Sequence, residues 1–389
     1  KMKGALLELS CIVASTVYSQ SGSLLLALAA VASLHINLNT RIPKDKNLFL
    51  GLAAYEIIRH GLGYSFSYFD IVGAMIRSKL YCEILSPVFS HNPIEAAFLG
   101  VLTSAGFELG FSGALSSSTA MGLSCLHSLA TVYLLQPFIK NKALLLLISL
   151  AWDGYKALRN PFAVLFWLVD FKCLMIVPYW AVVSVASVIG INLIARYLKW
   201  SQIVVRKLFH FMILALFLPA SNTDFTVLVS LAACKVLIIV ELLRSVDSLK
   251  FVTSFYSKFI DKRDLSSFAR THIYLLVGNF LPLALGNKKD PNFGYLGMLS
   301  LGVGDSVASI VGSKYGKAHW PGSKKTYEGS AASLVNQLGA AGALGMLNYK
   351  TAISLAVGTL YEAYTDQIDN LTLPLVCCSV YDLCSKFLR

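Results

Sequence analysis

The chain has 389 residues, of which 56% are hydrophobic and only 14% charged, with a net charge of +12. A soluble globular chain averages about 25% charged residues, so this composition excludes an ordinary soluble domain and points to an all-α, polytopic transmembrane protein. The basic excess fits cytoplasmic loops facing anionic head groups or a site for a polyanion; nucleic acid is excluded as a partner, because no soluble basic domain exists to hold it.

Apolar runs at 22–32, 143–151, 173–195, 211–219, 225–243 and 346–360 dominate the chain. At roughly 20 residues per crossing they predict on the order of twelve to fifteen membrane helices. The N-terminal stretch is not expected to be a cleaved leader, since no short apolar core precedes a small-residue cleavage site. Eight scattered cysteines form no C-x-x-C pair and seven histidines no H-x-x-x-H spacing, so a zinc enzyme or disulfide framework is not expected.

Residues 1–198 read as one apolar helix after another, joined by short polar stretches at 39–47, 91–93 and 137–142. Glu56, Arg59, Glu95 and Glu108 fall within or beside these helices, where a charge is either functional or at an interface. From 199 onward polar residues gather into four clusters. They are Arg206, Lys207 and His210; Gly302, Gly304 and Asp305; the run from Pro321 to Gly329; and Glu362, Thr365, Asp366, Asp369 and Asn370. The stretch 244–270 mixes Arg244, Lys250, Lys258, Lys262 and Arg263 with Phe and Leu and reads as an amphipathic surface helix.

Counting spans brings the four clusters to one side. With Arg206 and Lys207 cytosolic, spans at 208–220, 225–243, 272–286 and 293–312 return the chain to the cytosol at Lys314. Two more, 330–347 and 351–366, turn at Asn348 to Lys350 and bring the acidic cluster to the same face. Lys288 and Lys289 fall on the opposite side and count against this topology.

The clusters suit phosphoryl transfer, which needs cations for a polyphosphate, carboxylates for a divalent metal and a group to handle the acceptor proton. Pro321 and Gly322 predict a turn, Lys324 and Lys325 supply cations, and Thr326 is an N-cap for the following helix. That helix N-terminus is expected to offer free N–H groups to phosphate, and Gly329 to permit close backbone approach. An ordinary basic loop is the plain alternative. Glu362, Asp366 and Asp369, spaced i, i+4, i+7, are expected to share one helical face and suit Mg²⁺; a polar network tying helices together is the alternative. Asp305, set among Gly302, Gly304 and Ser306, is expected to line a cavity at a close or broken helix. Which of Asp305, Asp366 and Asp369 binds metal and which takes a proton stays open. His210 has either a proton-handling or a structural role. Gly312 to Lys317 is one residue short of a Walker A loop and lacks the Ser or Thr after its lysine, and no protein-kinase motif set is present.

The run from Gly304 through Asp305, Gly312 and Gly316, followed by Trp320 to Gly329, resembles the polyprenol kinase family of CTP-using membrane enzymes, which act on dolichol, phytol or diacylglycerol. The stretches 205–210, 271–278 and 362–371 resemble its dolichol kinase branch. The resemblance covers 199–389, the kinase core, with 1–198 as scaffold or housing for a lipid tail; the polar connections are short for the family. It implies phosphate transfer from CTP to dolichol, giving dolichyl phosphate and CDP for protein glycosylation, at the cytosolic face of the endoplasmic reticulum membrane. It also implies that 315–330 forms much of a CTP loop. The nucleotide-site candidates are Arg206, Lys207, Gly304, Lys314, Tyr315, Gly316, Pro321, Gly322, Lys324, Lys325, Thr326, Glu328 and Gly329. Asp305, Glu328, Glu362, Asp366 and Asp369 are the candidates for Mg²⁺ or another hard divalent ion, and Asp305, Asp366, Asp369, Lys325 and His210 for catalysis. The same chemistry on phytol or diacylglycerol is the nearest rival, and an ion-coupled transporter a distant one. The sequence leaves the oligomeric state open between monomer and homodimer. Lys325→Ala and Asp305→Asn are each expected to abolish turnover while the protein remains folded in detergent; near-normal rates in both variants would overturn the site assignment.

Overall fold

The computed structural model describes residues 2–21, 24–39, 171–197, 201–220, 270–285, 292–365 and 369–387, with isolated positions elsewhere. Among the described residues the chain is helical, and extended pairing is limited to one antiparallel bridge between His319 and Thr326. Backbone contacts divide it into two compact units, Lys1–Arg159 and Asn160–Arg389. In the first, α1 (Met2–Ser21) packs on α2 (Leu24–Asn39). Leu9, Val13 and Val17 are buried along α1, and Ala27, Ala30 and Leu34 along α2, the i, i+3/i+4 stripes by which two helices cover each other.

In the second unit, α3 (Phe171–Tyr197) is 27 residues long, and its stretch Met175–Tyr197 is apolar enough to cross a membrane. Val182, Val185, Ile189 and Leu193 are exposed along it, as suits a helix whose solvent is hydrocarbon rather than water. It is pinned to α4 (Gln202–Phe217) by two polar handles. The Tyr179 hydroxyl donates to the Ala215 carbonyl at 2.7 Å and Trp180 Nε1 to the Leu216 carbonyl at 2.8 Å.

A second membrane-length column, Asn292–Tyr315, is mostly buried. It consists of α6 (Asn292–Leu299), a π-helical segment at Ser300–Asp305, and α7 (Ser306–Tyr315), with α5 (Arg270–Leu285) preceding it. After it come α8 (Tyr327–Ala343), α9 (Tyr349–Tyr364) and α10 (Asp369–Phe387). The five helices α4, α5, α8, α9 and α10 all touch the π segment, so the widened turn lies at the hub of the unit. Two glycines in its six residues weaken ordinary α geometry, and such bulges recur at functional sites.

Expected and observed spans agree along the column. The turn expected at 348–350 is present, with Asn348 capping α9 by accepting the Thr351 N–H at 3.0 Å. The first span begins earlier than expected, at Gln202, and ends in a 3₁₀ turn, Leu218–Ala220. Helices α8 and α9, of 17 and 16 residues, reach only about 25 Å, short of the usual hydrocarbon thickness. Most of the expected span 225–243, the surface helix 244–269, and Glu56, Arg59, Glu95 and Glu108 lie outside the described residues.

Helices α7 and α8 cross closely because Gly329 has no side chain. A Cβ there would lie 2.8 Å from the Ala308 carbonyl oxygen and 3.2 Å from Gly312 Cα. Gly329→Val is therefore expected to destabilise the fold by about 1–3 kcal/mol through overpacking, read as a lower melting temperature in detergent; an unchanged temperature would contradict the crossing.

Candidate active site

Asp305 closes the π segment and is 1% exposed. A bare carboxylate at that depth is untenable without partners. Helix α4 supplies two, one turn apart: the Lys207 ammonium pairs with Asp305 Oδ2, and His210 Nε2 lies 3.2 Å from the same oxygen. His210 Nε2 also faces Asn370 Oδ1 at 3.1 Å, and Asn370 Nδ2 donates to the Thr271 carbonyl at 3.4 Å. The other carboxylate oxygen, Asp305 Oδ1, is buried without a hydrogen-bond partner among the described residues. The backbone next to it is held from α8, where the Ser333 hydroxyl donates to the Gly304 carbonyl at 2.9 Å. Gln337 Nε2 in turn donates to Ser333 Oγ at 2.9 Å and to Thr359 Oγ1 at 3.3 Å.

Asp305, Glu362 and Asp369 converge, each offering an oxygen within 4.8 Å of the others. Glu362 is 2% exposed. Lys325 reaches in from the loop before α8, pairs with Glu362 Oε1 and lies 3.7 Å from Asp369 Oδ2. Burial alone disfavours the Lys325 ammonium, but Glu362, then Asp369 and Asp305, outweigh it and hold its pKa above the usual lysine range. Three carboxylates that converge on one another, one of them Asp305 with a buried oxygen lacking a hydrogen-bond partner among the described residues, fit a divalent cation such as Mg²⁺. Asp305, Glu362 and Asp369 are the residues that would hold it.

Glu362 and Asp369 do not share the single helical face expected of them. Helix α9 ends at Tyr364, Thr365 is extended, and Asp369 opens α10. The break is stabilised by Tyr361, whose hydroxyl donates to Thr372 Oγ1 at 2.8 Å and accepts from Thr365 Oγ1 at 3.1 Å. Glu362 and Asp369 thus meet from two helix ends. Asp366 lies outside the described residues.

The loop 316–326 follows the expected turn and is largely self-satisfied. Pro321 and Gly322 (φ +74°) form the turn closed by the Ser323 N–H donating to the Trp320 carbonyl at 3.0 Å. Trp320 N–H donates to the Lys325 carbonyl, and Trp320 Nε1 to Ser330 Oγ, each at 3.0 Å. The Trp320 ring stacks on Tyr327 at 4.0 Å and meets Tyr364 edge-on at 5.4 Å.

Thr326 caps α8 as expected, accepting the Gly329 N–H at 3.2 Å. The free N–H groups expected at that helix end are not free, however. Tyr327 N–H donates to the Ala318 carbonyl and Ser330 N–H to the Thr326 carbonyl. Glu328, nominated for metal, stands apart from the carboxylate trio. Its carboxylate accepts from the backbone N–H groups of Lys317 (3.1 Å) and Ala318 (3.2 Å), so it latches the loop. Lys314 and Tyr315, in the last turn of α7, and Lys324, on the loop, are exposed, and Arg206 is half-buried on α4 one turn before His210. Sequence reasoning missed Ser333, Gln337, Thr359 and the role of Asn370. The signal for the first two was their i, i+4 spacing as polar residues in an apolar helix.

No family model matches the chain, and no solved structure does. Known proteins match it well. The dolichol kinase of Mus musculus is 35% identical over 266 residues, covering 59% of this chain and 49% of that protein. That of Homo sapiens is 38% identical over 196 residues, covering 44% and 36%. The Arabidopsis thaliana dolichol kinase EVAN is 28% identical over 425 aligned positions, covering 93% of this chain and 73% of the relative. The chain is similar to dolichol kinases from animals and a plant. The match spans about half of the mouse relative's length and less of the human one's. Among the described residues two helices are long and apolar enough to cross a bilayer, and the chain is an all-helical membrane protein. The three stretches that resembled the dolichol kinase branch meet in one hydrogen-bonded chain, His210 to Asn370 to Thr271, beside Asp305.

The Glu328 latch has a pH signature. Its own N–H, followed by those of Ala318 and Lys317, outweighs desolvation and holds its carboxyl below the usual glutamate range. A depressed folded-state value means the latch is fully present above the unfolded-state value of about 4.3 and is lost as pH falls through the lower folded-state one. Glu328→Ala is expected to speed hydrogen exchange at the Lys317 and Ala318 amides at neutral pH, and the difference from the parent protein to vanish in strong acid. Equal exchange at neutral pH would overturn the latch.

Proposed function

We propose that the chain carries the catalytic core of a CTP-dependent dolichol kinase, transferring the γ-phosphate of CTP to the dolichol hydroxyl to give dolichyl phosphate and CDP. The observation that carries this reading is the trio of buried Asp305, buried Glu362 and half-buried Asp369 with Lys325 reaching into it. Its supports are the family of the relatives and the loop sequence from Trp320 to Gly329. The site lies at the cytosolic face of a multi-pass protein of the endoplasmic reticulum membrane. Residues 199–389 form the kinase core, and 1–198 house the isoprenoid tail or act as its scaffold.

In this mechanism the dolichol oxygen attacks the γ-phosphorus, the bond to the β-phosphate oxygen breaks, and CDP leaves. Lys325 exchanges its carboxylate partners for phosphate oxygens and steadies the charge they carry. Lys324 on the loop and Lys314 in the last turn of α7, both exposed, attract the nucleotide at longer range. Since the N–H groups at the start of α8 are largely internally bonded, phosphate recognition rests on these ammonium groups and on the helix dipole rather than on open backbone donors. Mg²⁺ held by Asp305, Glu362 and Asp369 supplies neutralisation of the phosphate oxygens. The hydroxyl proton passes to a carboxylate of the same cluster, and the apolar packing around Asp305 keeps water from competing as acceptor.

The decisive experiment offers CTP, ATP, GTP and UTP, with Mg²⁺, against dolichol, phytol and diacylglycerol to the purified protein in detergent. Transfer from CTP to dolichol alone is expected. Efficient transfer to phytol or diacylglycerol would overturn the substrate, preference for another nucleotide the donor, and no transfer by folded protein the activity itself.

A further inference from the structure

We propose that Asn370 is a positioning residue which, through His210, sets the orientation of the Asp305 carboxylate so that Oδ1 faces the divalent cation. The inference rests on reading Asp305, Glu362 and Asp369 as a cation site. Asn370 is 4% exposed in the first turn of α10, directly after Asp369, whose Oδ1 accepts the Asn370 N–H at 2.9 Å. Its amide nitrogen is committed to the Thr271 carbonyl on α5, so its amide oxygen must face His210. An amide oxygen only accepts; His210 Nε2 therefore carries the hydrogen. Nε2 lies 3.1 Å from Asn370 Oδ1 and 3.2 Å from Asp305 Oδ2, so its hydrogen faces both oxygens, while Nδ1 faces the Arg206 carbonyl at 3.3 Å.

Asp305 Oδ2 is thereby saturated by the His210 hydrogen and the Lys207 ammonium, and Oδ1 is left without a hydrogen-bond partner among the described residues. Remove the Asn370 amide and the imidazole loses one of the two oxygens that face Nε2. The carboxylate is then free to turn, and its open oxygen no longer points reliably to the ion. Asn370 acts at one remove: its side-chain partners are His210 and Thr271, and it bonds neither Asp305 nor Glu362. Loss of partners of this kind around metal-binding carboxylates and histidines typically costs about 10–100-fold in metal affinity or activity.

The test is a double-mutant cycle on Mn²⁺ binding, read by electron paramagnetic resonance on the purified full chain in detergent, with no nucleotide or lipid. Asn370→Ala and His210→Ala are each expected to weaken Mn²⁺ binding about tenfold. The double variant is expected to bind no more weakly than His210→Ala alone, because the two residues act as one unit. In phosphate transfer, Asn370→Ala is expected to lower kcat about tenfold with the KM for CTP held within about twofold. The inference is overturned if Asn370→Ala leaves Mn²⁺ affinity unchanged, if it costs the same factor with and without His210, or if the parent protein binds no Mn²⁺. Should Asn370→Ala not fold, Asn370→Ser carries the same cycle with the same expected pattern. A parent protein that binds Mn²⁺ but transfers no phosphate overturns the kinase reading and leaves this inference to the cycle.

Discussion

A buried carboxylate at the centre of an apolar helix unit sets the terms for the rest of this structure. Asp305 sits at the end of a π-helical turn that five other helices touch. An ionised group at that depth is tolerable only if cations and donors reach it. Lys207 and His210 do so from α4, and Lys325 approaches from the loop side with Glu362 and Asp369. Each requirement ties down another element. Helix α4 must present one face to the π segment, the loop must deliver a lysine, and α9 must end where α10 begins.

The loop is built as a rigid arm rather than an open phosphate cradle. Its turn, its backbone bonds, the Trp320 contacts and the Glu328 latch satisfy it internally. This leaves the Lys325 side chain as the part that reaches the carboxylates. Rigidity of this kind favours chemistry by positioning, since an arm already ordered loses little entropy when a substrate arrives.

Much of this was legible in the chain. The membrane-length column, the Pro321–Gly322 turn, the Thr326 cap and the turn at Asn348 each follow from local rules, and local rules act within a few residues. Span counting likewise placed the Lys325 and Glu362 regions together, because crossings alternate sides whatever the packing. Where local rules misled, a long-range contact had intervened. Glu362 and Asp369 looked like one helical face, but the Tyr361 hydroxyl bridges a break between two helices. Glu328 was a metal candidate, yet its carboxylate accepts from the backbone N–H groups of Lys317 and Ala318 and stands apart from the grouping of Asp305, Glu362 and Asp369.

The sequence by itself determined an all-helical membrane protein, the loop with its two lysines and the identity of the carboxylates, because composition, capping and turn chemistry are written residue by residue. Only the tertiary structure decided which carboxylates meet, that Lys207 rather than Arg206 pairs with Asp305, and that Asn370, 160 residues from His210, holds its ring. Those choices depend on how helices distant in sequence rotate and approach one another, and that is settled by packing of whole faces rather than by any local pattern.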